Sequence, residues 1–335
     1  MRRLSLFIIM LSVLAGTAVA GEYAADFLRI GVGARPLGMG GAFVSLADDA
    51  SGMVWNPAGA AQVEKAAVHL DHAALFQGLA QYNAVSASFL VQPELAVGVS
   101  WIRLGVDEIP RYNALQGTRL DRYTTGRNRS TGEPEGYFQD NENAVLVTVA
   151  KSMHFDFRVG PGFNKIDVPL DVSFGVTGKT IHQNLDDHRG SGQGVDAGIL
   201  ASIPTLVHTS GNVLARFNLG AAIRDAARTT LVWDTDSKHR DQIDPAFVLG
   251  ASYQHHLPVL KADVTVAVDR EMGDYDAWYY GAEMSVFNRI ALRAGMSDEH
   301  FTAGAGIQWG GVRVDYAFIS HTLDNTHRVS GGFYF

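Results

Sequence analysis

The 335-residue chain contains no cysteine. Disulfides, thiolate nucleophiles and zinc–thiolate centres are therefore excluded. Charge is also scarce. Asp, Glu, Lys and Arg make up 19% of the residues, below the roughly 25% usual in soluble domains. What charge there is sums to −8, a balance that disfavours nucleic-acid partners. Beyond the N-terminus no apolar run approaches the roughly 20 residues that a membrane helix needs. If the chain sits in a membrane, it must cross as a closed β-barrel, because only closure satisfies every backbone N–H and C=O in lipid without helices.

Recognisable catalytic patterns are missing too. There is no G-x-S-x-G elbow and no H-E-x-x-H. Gly31-Val32-Gly33 lacks the third glycine of a dinucleotide loop. The 12 histidines are scattered. His182 and His188 flank Asp186-Asp187 on an expected outer loop, and His255-His256 falls on an expected turn. We expect no enzyme activity, no cofactor and no metal.

The two ends of the chain are informative. Arg2 and Arg3 precede the apolar run Leu4 to Ala15, and Ala18-Val19-Ala20 forms an A-x-A cleavage site. Residues 1–20 therefore read as a signal peptide, and its removal with both arginines would take the net charge to −10. At the other end Phe333 and Phe335 oppose Arg328, Ser330 and Gly332 on an alternating strand. An exported chain that closes on an aromatic strand looks like a Gram-negative outer-membrane barrel, with Phe333 and Phe335 as its assembly signal.

From Ala66 onward, period-2 segments alternate with turns. In 95–104, Leu95, Val97, Val99 and Trp101 oppose Ala96, Gly98 and Ser100. In 169–181, Leu170, Val172, Phe174 and Val176 oppose Asp171, Ser173, Gly175, Thr177 and Lys179. Similar patterns recur to the C-terminus, giving about 14 segments of roughly 9–12 residues, the span of a tilted membrane strand. The connections 92–93, 288 and 310–311 are short, whereas 106–141 and 225–243 are long. Short periplasmic turns with long outer loops are the membrane-barrel pattern. A soluble periplasmic β-sandwich that binds a ligand remains the rival from another class, since alternation alone fits both.

Residues 21–62 do not alternate. They are rich in small residues and include Gly38, Gly40, Gly41, Asp48, Asp49, Asn56, Pro57 and Gly59. Such a segment cannot form a core alone, and a 14-strand lumen is wide enough to hold it as a plug. The inner faces of the strands carry both charge signs: Asp171, Lys179, Asp196, Arg216, Asp263, Asp269, Glu283, Arg293, Arg313, Asp315 and Arg328. Buried charges need partners. The set reads first as a network fastening the plug to the wall, and second as a polar route.

Gly38-Met39-Gly40-Gly41-Ala42-Phe43, Asp48-Asp49-Ala50 and Trp55-Asn56-Pro57-Ala58-Gly59 resemble the N-terminal region of the FadL-like (OMPP1/FadL/TodX) outer-membrane superfamily. Val312 to Phe318, Leu323 to Arg328, and Gly178 to Ile181 leading into Leu185-Asp186-Asp187 resemble its PorV/PorQ branch. The resemblance implies an antiparallel 14-stranded transmembrane barrel over 63–335 with an N-terminal hatch over 21–62. It implies a role in export or transport across the outer membrane, as in type IX secretion, with secretion components or exported cargo as partners beside lipid and the barrel-insertion machinery. The alternative within the same superfamily is passive uptake of long-chain fatty acids or other hydrophobic molecules. That alternative predicts an apolar pocket between hatch and wall.

Overall fold

The computed structural model describes residues 24–112, 117, 118, 120, 134–159, 166–207, 213–273, 275–298, 300–321 and 324–335. The expected signal peptide lies outside them, as do residues 21–23 of the expected hatch.

The strands follow the period-2 segments closely. They are β1 (Ala66–Leu75), β2 (Ala80–Gln92), β3 (Leu95–Arg111), β4 (Gly136–Val159), β5 (Ile166–Leu185), β6 (His188–Val207) and β7 (Val213–Arg224). A small hairpin, β8 (Thr229–Trp233) and β9 (Arg240–Ile243), interrupts the series. It resumes with β10 (Ala246–Leu257), β11 (Ala262–Met272), β12 (Ala277–Val286), β13 (Ile290–Ser297), β14 (His300–Trp309), β15 (Val312–Ile319) and β16 (Thr326–Tyr334). Every pairing is antiparallel between neighbours, and β7 pairs directly with β10 across the hairpin. The ring closes where β1 meets β16, with Asp71 opposite Ser330, and β5 meets β6, with Gly178 opposite Val195. The result is a closed antiparallel barrel of 14 strands, with β8 and β9 added to the outer end of β6. Closure removes the sheet edges that a sandwich would leave, so the sandwich expectation is overturned.

Residues 225–243, expected as one loop, contain this extra hairpin. His255 and His256 lie within β10 rather than on a turn. The structure also lengthens β4 and β5 beyond the expected 142–153 and 169–181. Lys151 is the last β4 residue paired with β3, at Leu95, and Asp171 is the last β5 residue paired with β6, at Ser202. Past these points β4 and β5 continue as a two-stranded ribbon with Phe155 opposite Leu170 and Phe157 opposite Val168. The strand prolines follow from backbone chemistry. Pro110 lies just beyond the β3 register shift and Pro204 beside the β6 one, while Pro169 lies in the ribbon, where β6 does not pair. Pro cannot donate to a ladder, and these are the positions where no donor is needed.

Alternation sorts the side chains. Val145, Val147 and Val149 of β4, Phe174 and Val176 of β5, and Val314 and Tyr316 of β15 face outward and are exposed. Trp278 sits near one rim and Trp309 at the other, as aromatic girdles do. Val314 is 53% exposed between two inward charges, Arg313 and Asp315. Val314→Arg is expected to cost about 2–4 kcal/mol if the residue lies near the bilayer midplane. Urea unfolding in lipid vesicles measures it, and a change near zero would mean that this face does not meet lipid.

Both chain ends of the wall, Ala66 and Tyr334, lie at the end of the short turns 93–94 and 310–311. The long connections 112–135 and 225–245 lie at the opposite end. We term this the outer end.

Candidate functional site

The segment before β1 is enclosed by the strands. Its turns Asp26–Leu28, Ala34–Gly38, Gly52–Trp55 and Pro57–Gln62 touch inward faces around the ring. Starting at the outer end, Ala25, Phe27 and Val32 share an apolar cluster with Leu75, Tyr82, Ile102, Leu146, Ile181 and Leu231. Lower down, Ala34 meets Ala317 and Ile319, while Val44 meets Ala222 and Val248. Ala47 and Ala58 meet Leu200.

Small residues are what allow this fit. At wall glycines Gly98, Gly175, Gly198, Gly220, Gly281 and Gly295, a Cβ would overlap Met53, Pro57, Asn56, Val44, Met39 and Gly40 respectively. The wall thus lacks side chains where the enclosed backbone passes. On the segment itself, Gly40 combines a φ of 68° with a seat against the backbone of Met296 and Tyr280. No other residue type meets both demands without strain.

The enclosed backbone is also hydrogen-bonded to the wall. Asp269 Oδ2 accepts from Phe43 N and Val44 N, each at 2.7 Å. Asp71 Oδ2 accepts from Gly33 N at 3.1 Å and from Arg328 Nη1 at 2.8 Å, and the same nitrogen donates to Gly31 O at 2.6 Å. Ser330 Oγ accepts from Ala34 N at 3.0 Å, and Thr302 Oγ1 donates to Gly38 O at 3.2 Å. Asn56 Nδ2 donates to Val44 O at 2.9 Å and to Ile199 O at 3.0 Å, while its Oδ1 accepts from Ala58 N. This asparagine therefore caps the turn that begins at Pro57 and ties it to β6.

Arg35 is the electrostatic centre. Its guanidinium pairs with Asp48, stands 3.7 Å from Asp49, and meets Glu283 of β12 at 3.0 Å. Glu283 also binds Arg293 at 2.6 Å and lies 3.5 Å from Arg313, and both arginines reach Asp315 at 2.9 Å. Asp49 turns back to accept from Ser51 N and Ser51 Oγ. Six of the expected inward charges or hatch acids thus join one knot through a residue that sequence reading did not single out.

The remaining expected charges divide. Lys179 pairs with Asp196 at 2.8 Å and with Asp225 at 2.9 Å. Asp269 and Arg328 bind backbone rather than joining the knot. Asp171, Arg216 and Asp263 do not belong to a buried network. Asp171 pairs with His154, Asp263 with His256, and all three lie near the exposed turn-end rim. Their strand parity is inward, but the enclosed segment does not reach them, so Asp171 and Asp263 pair locally at the rim instead. Besides Arg35, Asp71 and Glu271 were missed; Asp71 is the one acid of β1, and Glu271 sits at the end of β11 two residues after Asp269. Phe333 and Phe335 face outward at the turn-end rim, and Phe335 N donates to Ala66 O at 3.0 Å.

Above the knot lies a cavity of about 390 Å³ between the enclosed segment and the outer half of the wall. Leu28, Ile30, Leu37, Val54 and Trp55 line it from inside, and Leu146, Val248 and Ile319 from the wall. Its polar lining includes Glu271, which meets Arg29 at 3.1 Å and Arg224 at 3.5 Å and accepts from Tyr279 Oη at 2.9 Å. Trp55 Nε1 is satisfied by Val32 O at 2.9 Å, so its ring presents an apolar surface to the cavity. Among the described residues no group of three or more His, Asp or Glu is placed to hold a metal. His188 instead faces Asp234, and Asp186 pairs with Arg111.

No family model and no curated protein matches the sequence. Solved structures with similar folds include the toluene transporter TbuX of Ralstonia pickettii, 12% identical, covering 91% of this chain and 98% of that one, with a TM-score of 0.48. The toluene transporter TodX of Pseudomonas putida is 10% identical over 90% of this chain and 96% of its own, with a TM-score of 0.44. A KdgM porin is 6% identical over 80% and 99%, with a TM-score of 0.35.

Proposed function

We propose that this chain is an outer-membrane barrel that receives small hydrophobic molecules in the cavity above its hatch and passes them inward. The observation that carries the reading is the cavity itself. Apolar atoms make up the larger part of its lining surface, beside the charged side chains of Arg29, Lys179, Asp196, Arg224, Glu271 and Arg328; it holds about 390 Å³ and lies at the end of the long connections. Ligand pockets are commonly about 300–1,000 Å³, mostly apolar, with a few placed polar groups. Glu271 with Arg29, Arg224 and Tyr279 supplies such a group. The same geometry favours uptake over export of a folded cargo, because the enclosed segment is seated on wall glycines around the lumen. The export role that the PorV/PorQ resemblance implied has no comparable feature behind it, and the hydrophobic-uptake alternative is the one taken up here.

Ile30 is half-buried on the hatch side of the cavity, so Ile30→Trp fills space without cutting into the wall. Binding of 1-N-phenylnaphthylamine to the purified barrel, followed by fluorescence, is expected to weaken at least tenfold. Heat-modifiable migration should be unchanged. Undiminished binding by a folded Ile30→Trp protein would place the hydrophobic site elsewhere.

A further inference from the structure

At the outer mouth of the cavity two histidines face each other across neighbouring strands. Thr302 of β14 is opposite Ile319 of β15, and Ser320 N donates to Phe301 O at 2.9 Å. One more step along the same register sets His300 opposite His321. Thr302 is buried on the inner face and Phe301 exposed on the outer, so His300 points inward with Thr302. Both histidines line the cavity. Their ring centroids are 4.5 Å apart with planes inclined at 56°.

We propose that His300 and His321 form a two-imidazole chelate for a divalent late transition-metal ion, Cu²⁺ or Ni²⁺, at the outer mouth of the barrel. Directly opposed cross-strand residues hold their Cβ atoms about 4.5–5.5 Å apart, which brings two imidazoles to one ion without moving backbone. An imidazole nitrogen binds a metal at about 2.0–2.1 Å, placing its ring centroid about 3.2 Å from the ion. Two such rings at right angles about the metal have centroids about 4.5 Å apart, the angle of square-planar or tetragonal Cu²⁺ and Ni²⁺ sites. Tetrahedral zinc would hold the rings farther apart.

The chemical setting agrees. Several other rim histidines are engaged: His154 and His256 bind aspartates, His72 meets Asn83, and His327 meets Tyr316. His300 and His321 meet each other. A neutral imidazole is the form that ligates. With two protein ligands the remaining positions go to water, leaving the ion accessible from outside. The site does not depend on the hydrophobic-ligand reading.

The test uses the full mature barrel in detergent, without a histidine tag, at pH 7.4. Cu²⁺ is titrated and followed by electron paramagnetic resonance with electron spin-echo envelope modulation. The expected result is one equivalent of tetragonal Cu²⁺ carrying two imidazole nitrogens. His300→Ala and His321→Ala should each leave one imidazole and weaken binding at least tenfold, while His154→Ala and His256→Ala should change neither. Both cavity histidines lie at the rim, and heat-modifiable migration checks that each variant is folded. Absence of a stoichiometric Cu²⁺ signal would overturn the proposal. So would a two-imidazole signal that survives loss of His300 and His321 together.

Discussion

Arg35→Ala is expected to lower the unfolding free energy by about 3–5 kcal/mol, the range for breaking a buried ion pair from one side. Arg35 is buried, and it is the cation that joins hatch acids Asp48 and Asp49 to the wall at Glu283. Its removal does not isolate Glu283, which keeps Arg293 at 2.6 Å and Arg313 at 3.5 Å. The destabilisation therefore falls on the hatch side, where buried Asp49 loses its nearby cation. Two outcomes follow for urea unfolding in vesicles. Arg35→Ala should be the more damaging substitution, and adding Glu283→Gln to it should be clearly less than additive, because the two share one interaction. Additive effects would show that the contact does not couple hatch to wall.

Gly175→Val is expected to displace the lower hatch turn. A Cβ at Gly175 would run into the carbonyl of Pro57 and the amide of Ala58, which are backbone atoms and cannot swing aside. β5 is held on both sides by β4 and β6, so the wall cannot yield either. Gly178 is on the same strand with open space at its Cβ position, so Gly178→Val is the matched control. The absence of native cysteine makes the readout clean. Ala58→Cys is buried and should resist a membrane-impermeant maleimide in the parent and in Gly178→Val. It should label in Gly175→Val, together with a clear drop in thermal stability. Protection in a folded Gly175→Val barrel would mean that the turn does not rest on that glycine.

How much of this was legible in the sequence depends on the element. The wall was readable because lipid and lumen impose opposite polarity on successive residues. Val312 to Phe318, for example, alternates outward Val314 and Tyr316 with inward Arg313 and Asp315. The ribbon beyond Lys151 was read as a connection, although Phe155 and Phe157 alternate with His154, Asp156 and Arg158 there. Alternation continues past the point where neighbouring strands stop, and only pairing reveals that point. The β8–β9 hairpin was hidden because strands of 5 and 4 residues give too few periods to register.

For the site, the hatch glycines and Asn56 were visible as a cluster of small and turn-forming residues. Arg35 was not. Its neighbours in sequence are Ala34 and Pro36, and nothing local marks it as the partner of an acid 248 positions away. Asp171, Arg216 and Asp263 show the reverse limit. Parity alone reports the face of a strand but not its depth, so rim charges and buried charges look alike.

Filling of the lumen by the segment before β1, which also floors the cavity, is open to direct measurement. Single-channel conductance in planar bilayers tests that directly, by comparing the full barrel with one lacking residues 24–60 behind an intact signal. A 14-strand barrel emptied of its contents should hold a water-filled interior lined by Glu283, Arg293, Arg313, Asp315 and Arg328. The prediction is a large, steady ionic conductance from the deletion variant and little or none from the parent. A deletion variant that inserts normally, shows heat-modifiable migration, and yet conducts no more than the parent would contradict the account.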